Sequence, residues 1–339
     1  METNDRLLVA AAPHLHRGLS TSRIMWSVSA CLAPAAIWGV YIFGLGSLFI
    51  LFVSIASALV TEYVITRFRG EFTLHDGSAF LTGLLIGLNM PPTVPAFIPV
   101  IASVFAIAVV KQTFGGLGRN WMNPALAGRV FVLFSWTSQM TSWKLPSYTN
   151  LSRLLGGSSA LTGASIDTVT GATPLALGAE AFLQRASYWD LFIGNIPGCI
   201  GEVSALLLIL GSVYLFYAGI IRWEIPVSYL ASFTLLVWLL GGVSGGKGLF
   251  QGDVLFHLLA GGLMLGSLYM ATDMVTSPLA STGMIVFGIG AGIITFLIRF
   301  YGGFPEGVSL AIILMNIAVP LIDRLIKPVK FGFVKEEGK

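Results

Sequence analysis

Residues 78–92 read SAFLTGLLIGLNMPP. An apolar, glycine-bearing run is cut after Asn89-Met90 by two prolines. A proline pair ends a helix: it removes backbone donors and pushes the preceding residue out of the helical region. The run falls short of the roughly 20 helical residues that a bilayer core needs. Such a half-helix is stable only where neighbouring helices bury its end and satisfy its backbone. The stretch therefore predicts a membrane protein with at least one broken span.

Composition agrees. The chain has 339 residues, 55% of them hydrophobic and only 10% charged, with mean hydropathy +0.84. Soluble domains carry about 25% charge, so this chain lacks the charge to cover a water-facing surface. The net charge of +3 gives no reason for a nucleic-acid partner. Cys31 and Cys199 stand far apart and outside any metal-ligand spacing, so no metal site is expected. His14 and His16 form an HxH pair without a third ligand and read as part of a contact segment. The N-terminal peptide lacks the basic-then-apolar order of a cleaved signal.

Outward from 78–92, about ten apolar runs can be counted, at 24–43, 47–66, 78–90, 95–111, 124–139, 197–219, 226–243, 254–271, 283–299 and 306–323. With the N-terminus in the cytoplasm and alternating crossings, 14 Lys and Arg fall inside and 5 outside, a positive-inside distribution. Both termini are then cytoplasmic, and the loop at 140–196 is extracytoplasmic. The predicted organisation is a cytoplasmic segment 1–23, five helices over 24–139, the loop at 140–196, five more helices over 197–323 and a basic tail at 324–339.

The two halves echo each other. VYIF (40–43) returns as VYLF (213–216), GLLIG (83–87) as GLMLG (262–266), and Asn123-Pro124 as Phe304-Pro305, at offsets of 173, 179 and 181. Five spans per half is an odd number, so a duplication would enter the membrane from opposite sides. The fold expectation is an all-α membrane protein of two five-helix inverted repeats with broken helices at GLNMPP and MATDMVTSP.

The outward loop carries DTVTGATPLA (167–176). Gly171 and Ala172 leave Thr173 unhindered, and Pro174 biases it toward extended backbone. Read locally, this is a solvated turn or a hydroxyl presented for modification. The stretch, with Asp167, Thr170, Gly171, Ala172, Thr173 and Leu175, resembles the flavinylation motif of the membrane subunits of the Rnf and Nqr electron-transport complexes. SAFLTGLLIGLNMPP, FGGLGRNWMNPALAGR (114–129), IPGCIGEVS (196–204) and YMATDMVTSP (269–278) are similar to the same family. The resemblance spans about 12–325 and favours the D-type branch of the Rnf complexes. The related B-type Nqr protein usually carries a longer N-terminal extension.

The resemblance implies FMN joined through its phosphate to Thr173, attached by a flavin transferase outside the cytoplasm. A family relative also holds non-covalent riboflavin, on which the sequence is silent. The implied partners are a membrane iron–sulfur pair, a second covalent-FMN subunit, and NAD-site and ferredoxin-facing subunits. The implied activity is electron transfer through a prokaryotic cytoplasmic (inner) membrane, coupled to Na+ or H+ movement, with this chain not catalytic alone. A channel or transporter also suits an inverted repeat, but has no use for Thr-Gly-Ala-Thr.

Intramembrane ionisable residues are further candidates. Glu202, among small residues, reads equally as a group near flavin or ion and as a helix cap. Asp273, at a predicted break, reads as a cation ligand or a cap. Glu62 is expected to pair with Arg67 or reach the interface, Asp76 to cap a helix, and Arg129 and Arg299 to reach the interfaces. His257 reads as a packed histidine. Trp136, Trp143, Tyr148, Phe182, Tyr188, Trp189 and Phe192 read as an interfacial belt or as ring neighbours of the flavin.

Overall fold

The computed structural model describes residues 20–70, 73–144, 170–171, 173–183, 186–202, 204–243, 246, 248–302 and 307–327. Its elements are helices, apart from one two-residue ladder that the all-α expectation lacked. They begin with α1 (Thr21–Phe43), α2 (Leu45–Arg69) and α3 (Ser78–Leu88). Next come α4 (Phe97–Val104, widening into a π-helix at Phe105–Gln112), α5 (Pro124–Ser135) and α6 (Thr137–Met140). Strands β1 (Trp143–Lys144) and β2 (Thr170–Gly171) pair antiparallel, and α7 (Pro174–Leu177), α8 (Ala179–Leu183) and α9 (Tyr188–Ile193) follow. The last set is α10 (Ala205–Tyr217), α11 (Glu224–Leu240), α12 (Val254–Leu259), α13 (Leu263–Leu265, running into a π-helix at Gly266–Met270), α14 (Ser281–Tyr301) and α15 (Val308–Leu325).

Among the described residues, four helices, α1, α2, α14 and α15, are long and apolar enough to cross a membrane, and there are shorter apolar helices besides. Phe49, Phe52, Val60, Leu235, Trp238 and Leu321 are among many large apolar side chains left exposed, which water would not tolerate on this scale. The chain is a multi-pass membrane protein. Local chemistry sets the ends. Asn123 caps α5, accepting from Ala125 N (3.0 Å) and Leu126 N (3.3 Å), with Pro124 at the first helical position. Asp76 Oδ1 accepts from Ser78 N (2.8 Å) at the start of α3, as expected of a capping aspartate.

Hydrocarbon gives helices no hydrophobic reason to associate, so small residues let backbones close in. Gly83 and Gly87 of α3 bring its backbone against Ile55 and Leu51 of α2, and Gly288 and Gly292 of α14 do the same on α11. A Cβ at Gly83 would lie 2.7 Å from Ile55 Cα.

The breaks differ in part from expectation. α3 stops at Leu88 and α13 at Met270, both at the proposed sites. The run at 197–219 is not one span: its helix starts only at Ala205, because residues 196–202 run into the core as irregular chain. The run at 254–271 is also cut, at 260–262, where Gly261 takes φ +72°. The irregular chain does specific work. Gly201 N donates to Leu88 O (2.8 Å) and Ile200 N to Met90 O (3.1 Å). These carbonyls at the end of α3 would otherwise be orphaned away from water.

Candidate functional site

The polar residues gather where the broken ends meet. Arg129 of α5 is buried, not at an interface as its sequence position suggested. Its Nη1 donates to Glu202 Oε1 (2.9 Å), Asn89 Oδ1 (2.7 Å) and Ser309 Oγ (3.0 Å), and Nη2 lies 3.6 Å from Cys199 Sγ. One guanidinium thus ties the end of α3, the irregular segment before α10 and the start of α15. The planar fork suits this task as no ammonium would. Around it, Asn123 N donates to Asn316 Oδ1 (3.2 Å), Asn123 Nδ2 to Met270 O (3.1 Å) and Asn316 Nδ2 to Thr276 O (2.9 Å). The asparagine amides therefore satisfy the backbone that the second break leaves open.

Glu202 faces two ways. Oε1 holds Arg129, while Oε2 is buried and has no hydrogen-bond partner among the described residues. Gly262 packs against this carboxyl group with no room for a Cβ. Glu202 also lines a small cleft with Thr173, Pro174, Leu175, Ile196 and Gly261. Thr173 is only 4% exposed. The β1–β2 ladder, pairing Trp143 with Gly171 and Lys144 with Thr170, fixes the chain just before it, and α7 begins just after. Of the motif, Asp167 and Ala172 lie outside the described residues, as does the Thr170 side chain. Leu175 is half-buried against the core.

Asp273 lines a different cavity from Glu202. Its carboxylate accepts from Val275 N (3.4 Å) and Thr276 Oγ1 (3.2 Å), a capping arrangement at the break. The cavity beside it measures about 100 Å³ and includes Ser78, Lys111, Asn120, Asn123 and Tyr269. Asn120 Oδ1 is buried there without a hydrogen-bond partner among the described residues. Glu62 does not pair with Arg67. It is fully buried and bonds Lys111 Nζ (2.6 Å), which also reaches Ser78 Oγ (2.6 Å), while Thr73 Oγ1 donates to Glu62 Oε1 (2.7 Å). Lys111 sits 49 residues further on and comes opposite Glu62 only because α4 packs on α2.

Arg299 does not simply run to the interface either. Its guanidinium lies over Phe233, 5.1 Å from the ring centre, and Nη1 donates to His257 O (2.6 Å). His257 is packed between Phe256 and Phe300. Of the loop aromatics, Phe182 packs on Phe256 and Trp136 on Phe97, while Trp189 is exposed; Tyr148 lies outside the described residues. Sequence reasoning missed Arg129, Asn89, Asn123 and Asn316 as site formers. The available signal was the position of Asn89 and Asn123 beside helix-stopping or helix-starting prolines.

The family described as NQR2, RnfD, RnfE matches residues 8–332. The chain is 43% identical to the D-type subunit of the proton-translocating ferredoxin:NAD(+) oxidoreductase complex of Clostridium ljungdahlii, over 96% of each chain. It is also 43% identical to the Na(+)-translocating counterpart of Acetobacterium woodii, over 98% of each. The D-type subunit of the ion-translocating oxidoreductase complex of Stutzerimonas stutzeri is 39% identical over 92% of each. With near-complete coverage at these identities, and with its buried polar centre built from the segments that carried the resemblance, the chain belongs to the NQR2, RnfD, RnfE family.

Proposed function

We propose that this chain is the D-type membrane subunit of an ion-translocating ferredoxin:NAD+ oxidoreductase, carrying FMN on Thr173 and passing electrons through the membrane. The observation that carries this reading is the placement of Thr173. The last residue of Thr-Gly-Ala-Thr shares a cleft with Glu202, which is locked to the buried centre through Arg129. A flavin supplies one- and two-electron chemistry that no side chain offers, and the protein contributes position and electrostatics. Thr173 Oγ1 would attack the flavin-bearing phosphorus of a flavin dinucleotide; the phosphoanhydride P–O bond breaks, the nucleoside monophosphate leaves, and a base of the transferase takes the hydroxyl proton. Arg129 neutralises the Glu202 carboxylate, so the cleft does not repel a second anion.

The ten-helix inverted repeat belongs to this proposal. Equivalent positions of an inverted repeat meet at the axis relating them. Asn89 Nδ2 contacts Met270 Sδ, 181 positions apart, and Arg129 bonds Ser309, 180 apart. Gly211 packs against Cys31 at that same spacing of 180. These separations match the offsets of 179 and 181 between the recurring motifs. The α1–α10 and α5–α15 contacts pair helices in equivalent places. A transporter without redox chemistry would share this architecture, but the Thr173 motif has no role in one. The two relatives at 43% identity are named for different ions, so membership in the family does not fix the coupling ion.

For a non-covalent riboflavin, we assign the cavity beside Asp273, whose Asn120 Oδ1 stands ready to accept from a heterocyclic N–H. At about 100 Å³ it takes an edge of the ring and not the whole molecule.

Three outcomes test these readings in protein from its native host. Thr173→Ala abolishes flavin fluorescence at this subunit's band in a denaturing gel, while Thr170→Ala keeps it; fluorescence surviving Thr173→Ala refutes the site. In intact cells, a membrane-impermeant thiol reagent labels Ser187→Cys and spares Arg119→Cys; the reverse pattern would put the Thr173 loop in the cytosol. Asn120→Leu lowers riboflavin released on denaturation without changing the Thr173-linked flavin; unchanged riboflavin would remove it from this cavity.

A further inference from the structure

Resting on the covalent-flavin reading, we infer that Arg299 is the residue that receives the phosphodiester formed at Thr173. A phosphodiester carries a full negative charge, and a nearly buried one needs a cation and donors near it. Glu202, the ionisable residue among those that line the Thr173 cleft, is an anion already committed to Arg129. Gly261 is shared ground. It lines the cleft with Thr173, and a Cβ there would lie 3.4 Å from Arg299 Nη2 and 2.7 Å from Leu175 Cδ1, two residues beyond Thr173.

The left-handed backbone at Gly261 and its missing side chain leave the guanidinium edge facing the motif across one glycine. The other face of Arg299 is held in place. Phe233 lies under the guanidinium plane and His257 O accepts from Nη1, so the fork keeps its aim. Arg299 also occupies the last turn of α14, next to the helix end that favours a cation.

The test compares Arg299→Gln with Arg299→Lys in the assembled complex, reading the flavin-loaded fraction of the Thr173 peptide by mass spectrometry after brief induction. Loss of a charged donor predicts about a tenfold drop for Arg299→Gln, with Arg299→Lys staying near the unmodified protein because it keeps the charge. Loading unaffected by Arg299→Gln overturns the inference, and so does an equal fall in Arg299→Lys, which marks a purely structural role of the fork. A second measurement avoids mutating Arg299. An arginine-selective dicarbonyl should modify Arg299 more slowly in the flavin-loaded complex than in Thr173→Ala, and equal rates contradict the contact. A wild-type Thr173 peptide without flavin sinks the function reading and this inference together. Loaded peptide with an indifferent Arg299 sinks this inference alone.

Discussion

The ion pair between Arg129 and Glu202 is the contact on which the arrangement rests. Neither charge reaches solvent, and each alone would cost several kcal/mol in such surroundings. Their partners come from segments far apart in the chain: Asn89 at the end of α3, Cys199 and Glu202 before α10, and Ser309 at the start of α15. A helical membrane protein made of unbroken spans needs no such knot, because every backbone group is satisfied within its own helix. Breaking α3 and α13 opens backbone in the interior, and side-chain amides and a guanidinium close it. The cost of the breaks is returned as a fixed polar centre, with Glu202 presented to the Thr173 cleft.

This centre explains how a surface loop acquires a precise seat. The Thr173 segment is braced by a two-residue ladder on one side and by α7 on the other. Its floor is Glu202, whose position depends on Arg129 and on the absence of a side chain at Gly262. A cofactor tethered there would sit over the junction of the two halves of the protein. On the far side of that junction, the cavity beside Asp273 shares Asn123 with the network around Met270 and Asn316. Asn89, which accepts from Arg129 and donates toward Met270 Sδ (3.5 Å), links that network to the Arg129 centre.

Much of this was legible from sequence, for stated reasons. Membrane insertion follows from composition, the break after Asn89 follows from Pro91-Pro92, and MATDMVTSP was the expected break of the second half. The Thr173 motif stood out against its apolar surroundings, although its Asp167 and Ala172 lie outside the described residues. What stayed hidden depends on tertiary packing. Glu62 has Arg67 five positions away in sequence, yet α4 brings Lys111 against it. Arg129 and Arg299 look like residues that anchor helix ends, and only the fold shows that α5 and α14 carry them inward. The additional break, at 260–262, was hidden by the apolar residues on both sides. The helical start expected at 197 failed because the chain there stays irregular, with Ile200 N and Gly201 N donating to carbonyls at the end of α3.

The most direct measurement is a double-mutant cycle on the central pair in the purified complex. Thermal unfolding would be compared for Arg129→Met, Glu202→Leu and the two together. Each single substitution leaves one buried charge, costing about 3–5 kcal/mol, and the account predicts that the double variant recovers most of that loss. A double variant that loses as much as the two single changes combined would show that the pair is not coupled, and that something else fastens the broken helices to the Thr173 cleft.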